Sequence, residues 1–190
     1  MSSLKEKTAK GLFWGGMNNM VQQIVGLAFG IVLGRLLSPY DYGMMAMISV
    51  FSLVATALQD SGFKVALTNQ EKPTDADYNS VFWFNIIMGL AMYAMLFAAA
   101  PLIAHYYNTP KVVPLCRLAF LSIVIASLGT AQSAWLFKNL RAKQQAKASM
   151  AAVLVSSCVG AGMAFAGMAY WSLATQGLVY VGLNTLLQWH

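Results

Sequence analysis

The stretch Gly34-Arg-Leu-Leu-Ser-Pro-Tyr-Asp-Tyr-Gly43 decides the fold, because it is a short charged interruption between two long uncharged runs. The run before it, 11–34, and the run after it, 42–59, contain no Asp, Glu, Lys or Arg. Ser38-Pro39 and Asp41-Tyr-Gly43 are typical of turns, since proline fixes φ, aspartate bonds nearby backbone and glycine tolerates positive φ. We therefore interpret 34–43 as a tight connection between two membrane-crossing helices.

The composition outside this stretch is that of a membrane protein. Of the 190 residues, 58% are hydrophobic and 9% are charged, whereas a soluble domain is about 25% charged. The charges are clustered, and they leave five charge-free intervals: 11–34, 42–59, 78–110, 118–137 and 148–190. A spanning helix needs about 20 mostly apolar residues, so the last interval is long enough for two helices.

The intervals predict an all-α, polytopic membrane protein built as a bundle of six transmembrane helices. The predicted helices cover about 11–34, 43–66, 78–100, 115–137, 148–169 and 171–189. Helices are expected because every backbone polar group within lipid must be satisfied internally. Thr74 and Asp77 have the spacing of a capping box that opens the third helix.

The distribution of Lys and Arg predicts the orientation of the bundle. With a cytoplasmic N-terminus, the inside segments carry nine of these residues and the outside segments carry three, as the positive-inside rule requires. The inside residues are Lys5, Lys7, Lys10, Lys64, Lys72, Lys138, Arg141, Lys143 and Lys147, and the outside residues are Arg35, Lys111 and Arg117. This bias accounts for most of the +6 net charge, so we expect no nucleic-acid partner.

Four amides, Asn18, Asn19, Gln22 and Gln23, lie within six residues of the first helix. At about 100° per residue they share one side of that helix with several glycines. Gly26-x-x-x-Gly30-x-x-x-Gly34 is a small-xxx-small repeat, which allows another helix to approach closely. Two interpretations remain open: the amides join helices by hydrogen bonds, or they face a wet cavity.

A few further polar residues are candidates for a transport path. Asp60 and Lys64 are an i,i+4 pair, which forms either an ion pair at the membrane boundary or a charged part of the path. Asn85 lies early in the third helix, and Arg117 begins the fourth near the outer face, where it can snorkel.

Enzymatic chemistry is not indicated. The sequence has no nucleotide-binding glycine loop, no His-Glu-x-x-His motif and no Ser/His/Asp set that could meet. Cys116 and Cys158 lack metal-type spacing. We expect no catalytic residues, no cofactor and no metal.

Four segments, taken in order, carry a family resemblance. They are Lys5-Glu-Lys-Thr-Ala-Lys-Gly11 with Trp14, the 34–43 stretch, Asp60-Ser-Gly62 followed by Ala66-Leu-Thr-Asn-Gln70, and Phe82-Trp-Phe-Asn85. Together they resemble the N-terminal half of Wzx-type polysaccharide exporters. These are the O-antigen, capsule and colanic-acid flippases of the bacterial cell envelope, within the multidrug/oligosaccharidyl-lipid/polysaccharide superfamily.

The resemblance implies a mechanism and a set of partners. Family members have two lobes of six helices, so 1–190 corresponds to the N-terminal lobe, and the second lobe is a required partner. A polyprenyl-pyrophosphate-linked oligosaccharide is flipped across the bacterial inner (plasma) membrane by alternating access. The amides of the first helix and Asn85 then contact the sugar. Arg35, Lys64 and Arg117 are the candidates for the pyrophosphate.

Two other functions remain open at this point. One is a drug/cation antiporter of the same superfamily, in which Asp60 is the candidate carboxylate for the cation. The other is a non-transporting six-helix membrane scaffold.

Overall fold

A computed structural model describes residues 4–59, 67, 69–70, 74–139 and 141–189. It contains six helices: α1 Leu4–Leu36, α2 Pro39–Gln59, α3 Asp75–Tyr106, α4 Val112–Lys138, α5 Ala142–Phe165 and α6 Ala169–Trp189. Within these ranges, the five helices α1 to α5 are long and apolar enough to cross a membrane. The prediction of an all-α, polytopic membrane protein is therefore confirmed.

The connection between α1 and α2 is shorter than 34–43, because only Leu37 and Ser38 lie outside the two helices. The Ser38 backbone N–H and hydroxyl donate to Asp41 Oδ2 at 2.9 and 2.7 Å, and the Asp41 N–H donates to Ser38 Oγ at 3.3 Å. Pro39 occupies the first helical position, where its missing N–H leaves no bond unmade. Asp41 and Gly43 thus lie within α2, and this helix begins at Pro39 rather than at 43.

Helix α3 begins with a second capping arrangement of the same kind. Thr74 and Asp77 form the predicted capping box, with both reciprocal hydrogen bonds present. The helix runs through Pro101 to Tyr106 instead of ending near 100. A proline removes one backbone hydrogen bond, and helices in membranes tolerate that loss where other groups compensate.

Helix α6 occupies the centre of the bundle. It packs against α5 on one side and α4 on the other, while α1 packs on α5 and α3 packs on α4. Helix α2 lies across α3, α4 and α6. The main core forms there around Met44, Ile48, Phe120 and Ile123, all almost fully buried.

The basic residues fall at two ends of the bundle. Lys143 lies over the Trp14 ring, with its Nζ 5.4 Å from the ring centroid, so the starts of α1 and α5 share one end with Lys138 and Arg141. We call this the basic end. Leu33 and Leu37 pack with Ala164 at the opposite end, where Arg35, Lys111 and Arg117 also lie. The cytoplasmic assignment of the basic end stays a prediction.

Candidate functional site

The structure separates the four amides of α1 into two pairs. Gln22 Nε2 donates to Asn18 Oδ1 at 3.1 Å, and both side chains are half-buried on the side that packs on α5. Asn19 and Gln23 are exposed. The amides therefore do not form one face, because a helix turns about 100° between consecutive residues.

Gln22 lines a groove of about 350 Å³ between α1, α5 and α6. The other residues of this groove are Val153, Ser156, Leu173, Gln176, Gly177 and Tyr180. Gln176 Nε2 donates to Ser157 Oγ at 3.5 Å. This groove lies within the chain, so the Asn18–Gln22 pair faces helices of the same bundle.

Two stripes account for much of the uncovered surface of α1, and Leu12, 74% exposed, adds to it on the same side as Asn19. The first, the apolar stripe, is formed by large side chains that are 62–68% exposed: Phe13, Met20, Ile24, Leu27 and Ile31. The second, the glycine–amide stripe, is formed by Gly15, Asn19, Gln23, Gly26, Gly30 and Gly34. The two stripes lie about 100° apart around the helix.

The glycines of the second stripe contact no other helix within the described part of the chain. A Cβ added at Gly15, Gly26, Gly30 or Gly34 would meet nothing within 4 Å. The close helix contact that the small-xxx-small repeat predicts is thus not made within the described residues. A close contact of this type occurs instead at Gly160, where an added Cβ would lie 2.9 Å from Gln176 Cβ.

Two of the predicted cationic residues, Arg35 and Arg117, do not meet the amides of α1. Arg35 is exposed in the last turn of α1, about 25 Å along the helix from Asn18. Arg117 lies over the Phe97 ring, with its guanidinium carbon 4.1 Å from the centroid. Both belong to the end opposite the basic end. Asp60 and Lys64 lie outside the described residues.

Asn85 is buried, with 3% of its surface exposed. Its Nδ2 donates to the Val81 carbonyl of the same helix at 2.8 Å. Val81 packs with Ala134, so this side of α3 faces α4. The Asn85 Nδ2 donor is therefore paired within its own helix, and the residue is separate from the amides of α1.

A polar stripe along α6 is absent from the sequence-based predictions. Gln176, Tyr180, Asn184 and Gln188 recur every four residues, which places them along one side of the helix. Ser149 Oγ donates to Asn184 Oδ1 at 3.1 Å, which joins α5 to α6. The i,i+4 spacing within the last charge-free interval is the signal that could have identified this stripe.

A second missed feature is a cleft at the basic end. Two adjoining grooves of about 450 and 410 Å³ share Gln132, Trp135 and Trp189. The larger groove, which we call the basic-end cleft, is also lined by Arg141, Gln144, Lys147 and Gln188 among others. The guanidinium carbon of Arg141 lies 4.8 Å from the Trp135 ring centroid. Cations, amides and aromatic rings together suit an anionic or sugar-bearing ligand.

The described residues do not meet the requirements of a metal site. Across the described residues, no three His, Cys, Asp or Glu side chains are grouped so that they could hold a metal ion. The described surfaces instead offer hydrogen bonds and positive charge.

Comparison with known proteins identifies relatives of the chain. A family model described as "Polysaccharide biosynthesis protein" matches residues 32–190. The chain is 23% identical to lipopolysaccharide biosynthesis protein WzxC of Escherichia coli (strain K12), over 98% of this chain and 37% of that protein. It is 24% identical to teichuronic acid biosynthesis protein TuaB of Bacillus subtilis (strain 168), over 74% of this chain and 29% of that protein.

A third relative is succinoglycan biosynthesis transport protein ExoT of Rhizobium meliloti (strain 1021). It is 26% identical over 76% of this chain and 29% of that protein. The chain thus spans about a third of the length of the curated relatives that it matches. No solved structure matches the chain significantly.

Proposed function

The chain belongs to the polysaccharide biosynthesis protein family, and we propose that it is part of a transporter that exports a lipid-linked oligosaccharide for cell-surface polysaccharide synthesis. Three relatives have names that refer to lipopolysaccharide, teichuronic acid and succinoglycan biosynthesis, and one is named a transport protein. The proposed substrate is a polyprenyl-pyrophosphate-linked oligosaccharide. The proposed role is transport rather than catalysis.

The glycine–amide stripe of α1 is the structural feature that best supports this proposal. A polar side chain turned to lipid is costly, because hydrocarbon offers no hydrogen-bond partner. Asn19 and Gln23 are exposed on a helix whose apolar stripe already provides a suitable lipid surface. The glycine–amide stripe therefore suits a wet cavity or a second lobe rather than lipid. Amides in such a cavity can exchange hydrogen bonds with sugar hydroxyls and water.

The proposed mechanism is alternating access between this bundle and a second lobe. The basic end is proposed to be cytoplasmic, in a bacterial inner membrane, so that the substrate enters there and leaves at the opposite end. Arg35 and Arg117, at that opposite end, are proposed to meet the pyrophosphate before release. Further candidates for contact with the substrate are Asp60, Lys64 and Asn85. Within the bundle, Gln22 lines the polar groove beside α5 and is bonded to Asn18.

A matched pair of double variants tests the proposal. In Asn19→Leu with Gln23→Leu, two exposed amides of the stripe are lost. In the control, Met20→Leu with Ile24→Leu, the apolar stripe is altered at the same depth of the same helix. The measurements are the amount of surface polysaccharide, the cytoplasmic-leaflet pool of lipid-linked oligosaccharide, and the amount of protein in the membrane.

We expect the amide variant to reach the membrane in normal amounts and to lower surface polysaccharide at least several-fold while the lipid-linked pool grows. The control should leave both quantities unchanged, since leucine preserves the apolar character of that stripe. Normal export by the amide variant would contradict the proposed role of the stripe. A cell without the protein that shows no rise in the lipid-linked pool would contradict the transport function itself.

A further inference from the structure

The basic-end cleft contains the start of helix α5, which has no acidic cap. Helix α5 begins after Arg141, which makes no side-chain cap hydrogen bond, and its first turn has no acidic residue. Helices α2 and α3 begin with Ser38–Asp41 and Thr74–Asp77 pairs, whereas α4, like α5, begins after a basic residue without a side-chain cap. A helix N-terminus carries partial positive charge and favours anions. Arg141 just before this start and Lys147 in the second turn add further positive charge, and among the described residues the first turn supplies no compensating acid.

A buried amide points to a ligand independently of the helix start. Gln188 is only 7% exposed, and its side chain has no hydrogen-bond partner among the described residues. It lines the basic-end cleft and also the neighbouring polar pocket between α4 and α6. A buried polar group without a partner is destabilising, and a ligand in the cleft supplies one. Gln132, half-buried on the facing side, lines the same cleft.

The aromatic residues place the cleft at the level of lipid headgroups. Trp135 and Trp189 form its walls near the ends of α4 and α6, and tryptophan is enriched at the membrane–water interface. Basic pockets between transmembrane helices at that level bind anionic headgroups. Asp75 lines the adjoining groove rather than this cleft, so among the described residues no carboxylate lines the basic-end cleft.

We propose that the basic-end cleft binds the phosphate of a lipid headgroup. Arg141 and Lys147 contact the phosphate oxygens, Gln132 and Gln188 donate to the phosphate or to headgroup hydroxyls, and the tryptophans cover the glycerol or sugar part. The phosphate comes from an anionic phospholipid or from a polyprenyl diphosphate. The proposal does not depend on transport, because a structural lipid and a transported lipid would use the same contacts.

The chain itself offers a matched control for a binding experiment. The test variant combines Arg141→Gln with Lys147→Gln, and the control is Lys143→Gln. Lys143 lies between Arg141 and Lys147 in the first turn of α5, but its ammonium group lies over the Trp14 ring of α1, and it is not among the residues that line the cleft. The full chain in phosphatidylcholine nanodiscs is titrated with phosphatidylglycerol and, separately, with polyprenyl diphosphate, and lipid binding is read by native mass spectrometry and thermal stability.

We expect at least one of the two lipids to bind and stabilise the chain, with affinity reduced about tenfold in the test variant and within twofold of wild type in the control. The lipid that stabilises identifies the source of the phosphate. Absence of stabilisation by both lipids overturns the proposal. An equal loss in the control also overturns it, because general surface charge would then explain the binding.

A third variant, Gln188→Met, keeps the proposal testable if the double variant fails to fold. Methionine has a similar length and removes the unpartnered amide, so the lipid-free chain should be as stable as wild type or more stable. Lipid binding should nevertheless weaken several-fold. If binding is unchanged, Gln188 does not contact the headgroup and the proposed cleft is wrong.

Discussion

Gly160 sets the distance between α5 and α6, and a single methyl group at this position should separate them. An added Cβ would lie 2.9 Å from Gln176 Cβ, 3.0 Å from Gln176 Oε1 and 3.1 Å from Gln176 Cδ. Optimal carbon–carbon separations are about 3.5–4.0 Å, so the first contact is too short by about half an ångström or more. Gln176 Cβ is attached to the backbone, so a rotamer change cannot relieve this contact, and α5 or α6 must move.

The size of the stability loss caused by Gly160→Ala is estimated by comparison with Gly162, two residues further along the same helix. A Cβ at Gly162 would meet nothing within 4 Å. Both Gly→Ala changes gain a similar helix propensity of up to about 1 kcal/mol, which cancels in the comparison. Overpacking costs about 1–3 kcal/mol. Gly160→Ala should therefore be less stable than Gly162→Ala by about 1–3 kcal/mol.

The assay is equilibrium unfolding of the chain in mixed micelles of increasing SDS content, followed by tryptophan fluorescence. Gln176→Gly provides a second arm, because it removes the Cβ that the new methyl group meets. In a double-mutant cycle, Gly160→Ala should then cost less in the Gln176→Gly background than in wild type. Equal stability of the two alanine variants, or the same cost in both backgrounds, would refute the inferred contact.

Two further predictions concern orientation and capping. With Cys116 and Cys158 replaced, cysteines at exposed Ser38 and Gln144 should react with an impermeant thiol reagent from opposite sides of the membrane, because the three helices α2, α3 and α4 lie between 38 and 144. Labelling of both positions from one side would exclude the predicted orientation. Thr74→Ala should destabilise the chain by about 1 kcal/mol in the same SDS assay, since the capping box of α3 is lost. A variant as stable as wild type would show that this helix start does not limit stability.

The membrane class and the number of helices could be predicted from the sequence because both depend on local properties. An uncharged run of about 20 apolar residues must satisfy its backbone within itself once it lies in lipid, whatever its neighbours are. The Thr74–Asp77 capping box is equally local, because all its hydrogen bonds join residues three positions apart. Ser38 and Asp41 form the same arrangement, although the sequence pattern at these positions predicts a turn.

The candidate surfaces depended on which helices meet, and that is a tertiary property. The periodicity of α1 predicts a polar side but does not say that α5 covers Asn18 and Gln22 and leaves Asn19 and Gln23 exposed. In a soluble protein, an apolar face predicts the core, because burial removes it from water. In a membrane both the lipid and the core are apolar, so hydropathy does not distinguish the lipid side of a helix from its packed side. The central position of α6 and the basic-end cleft, assembled from three helices, were therefore decided only by packing.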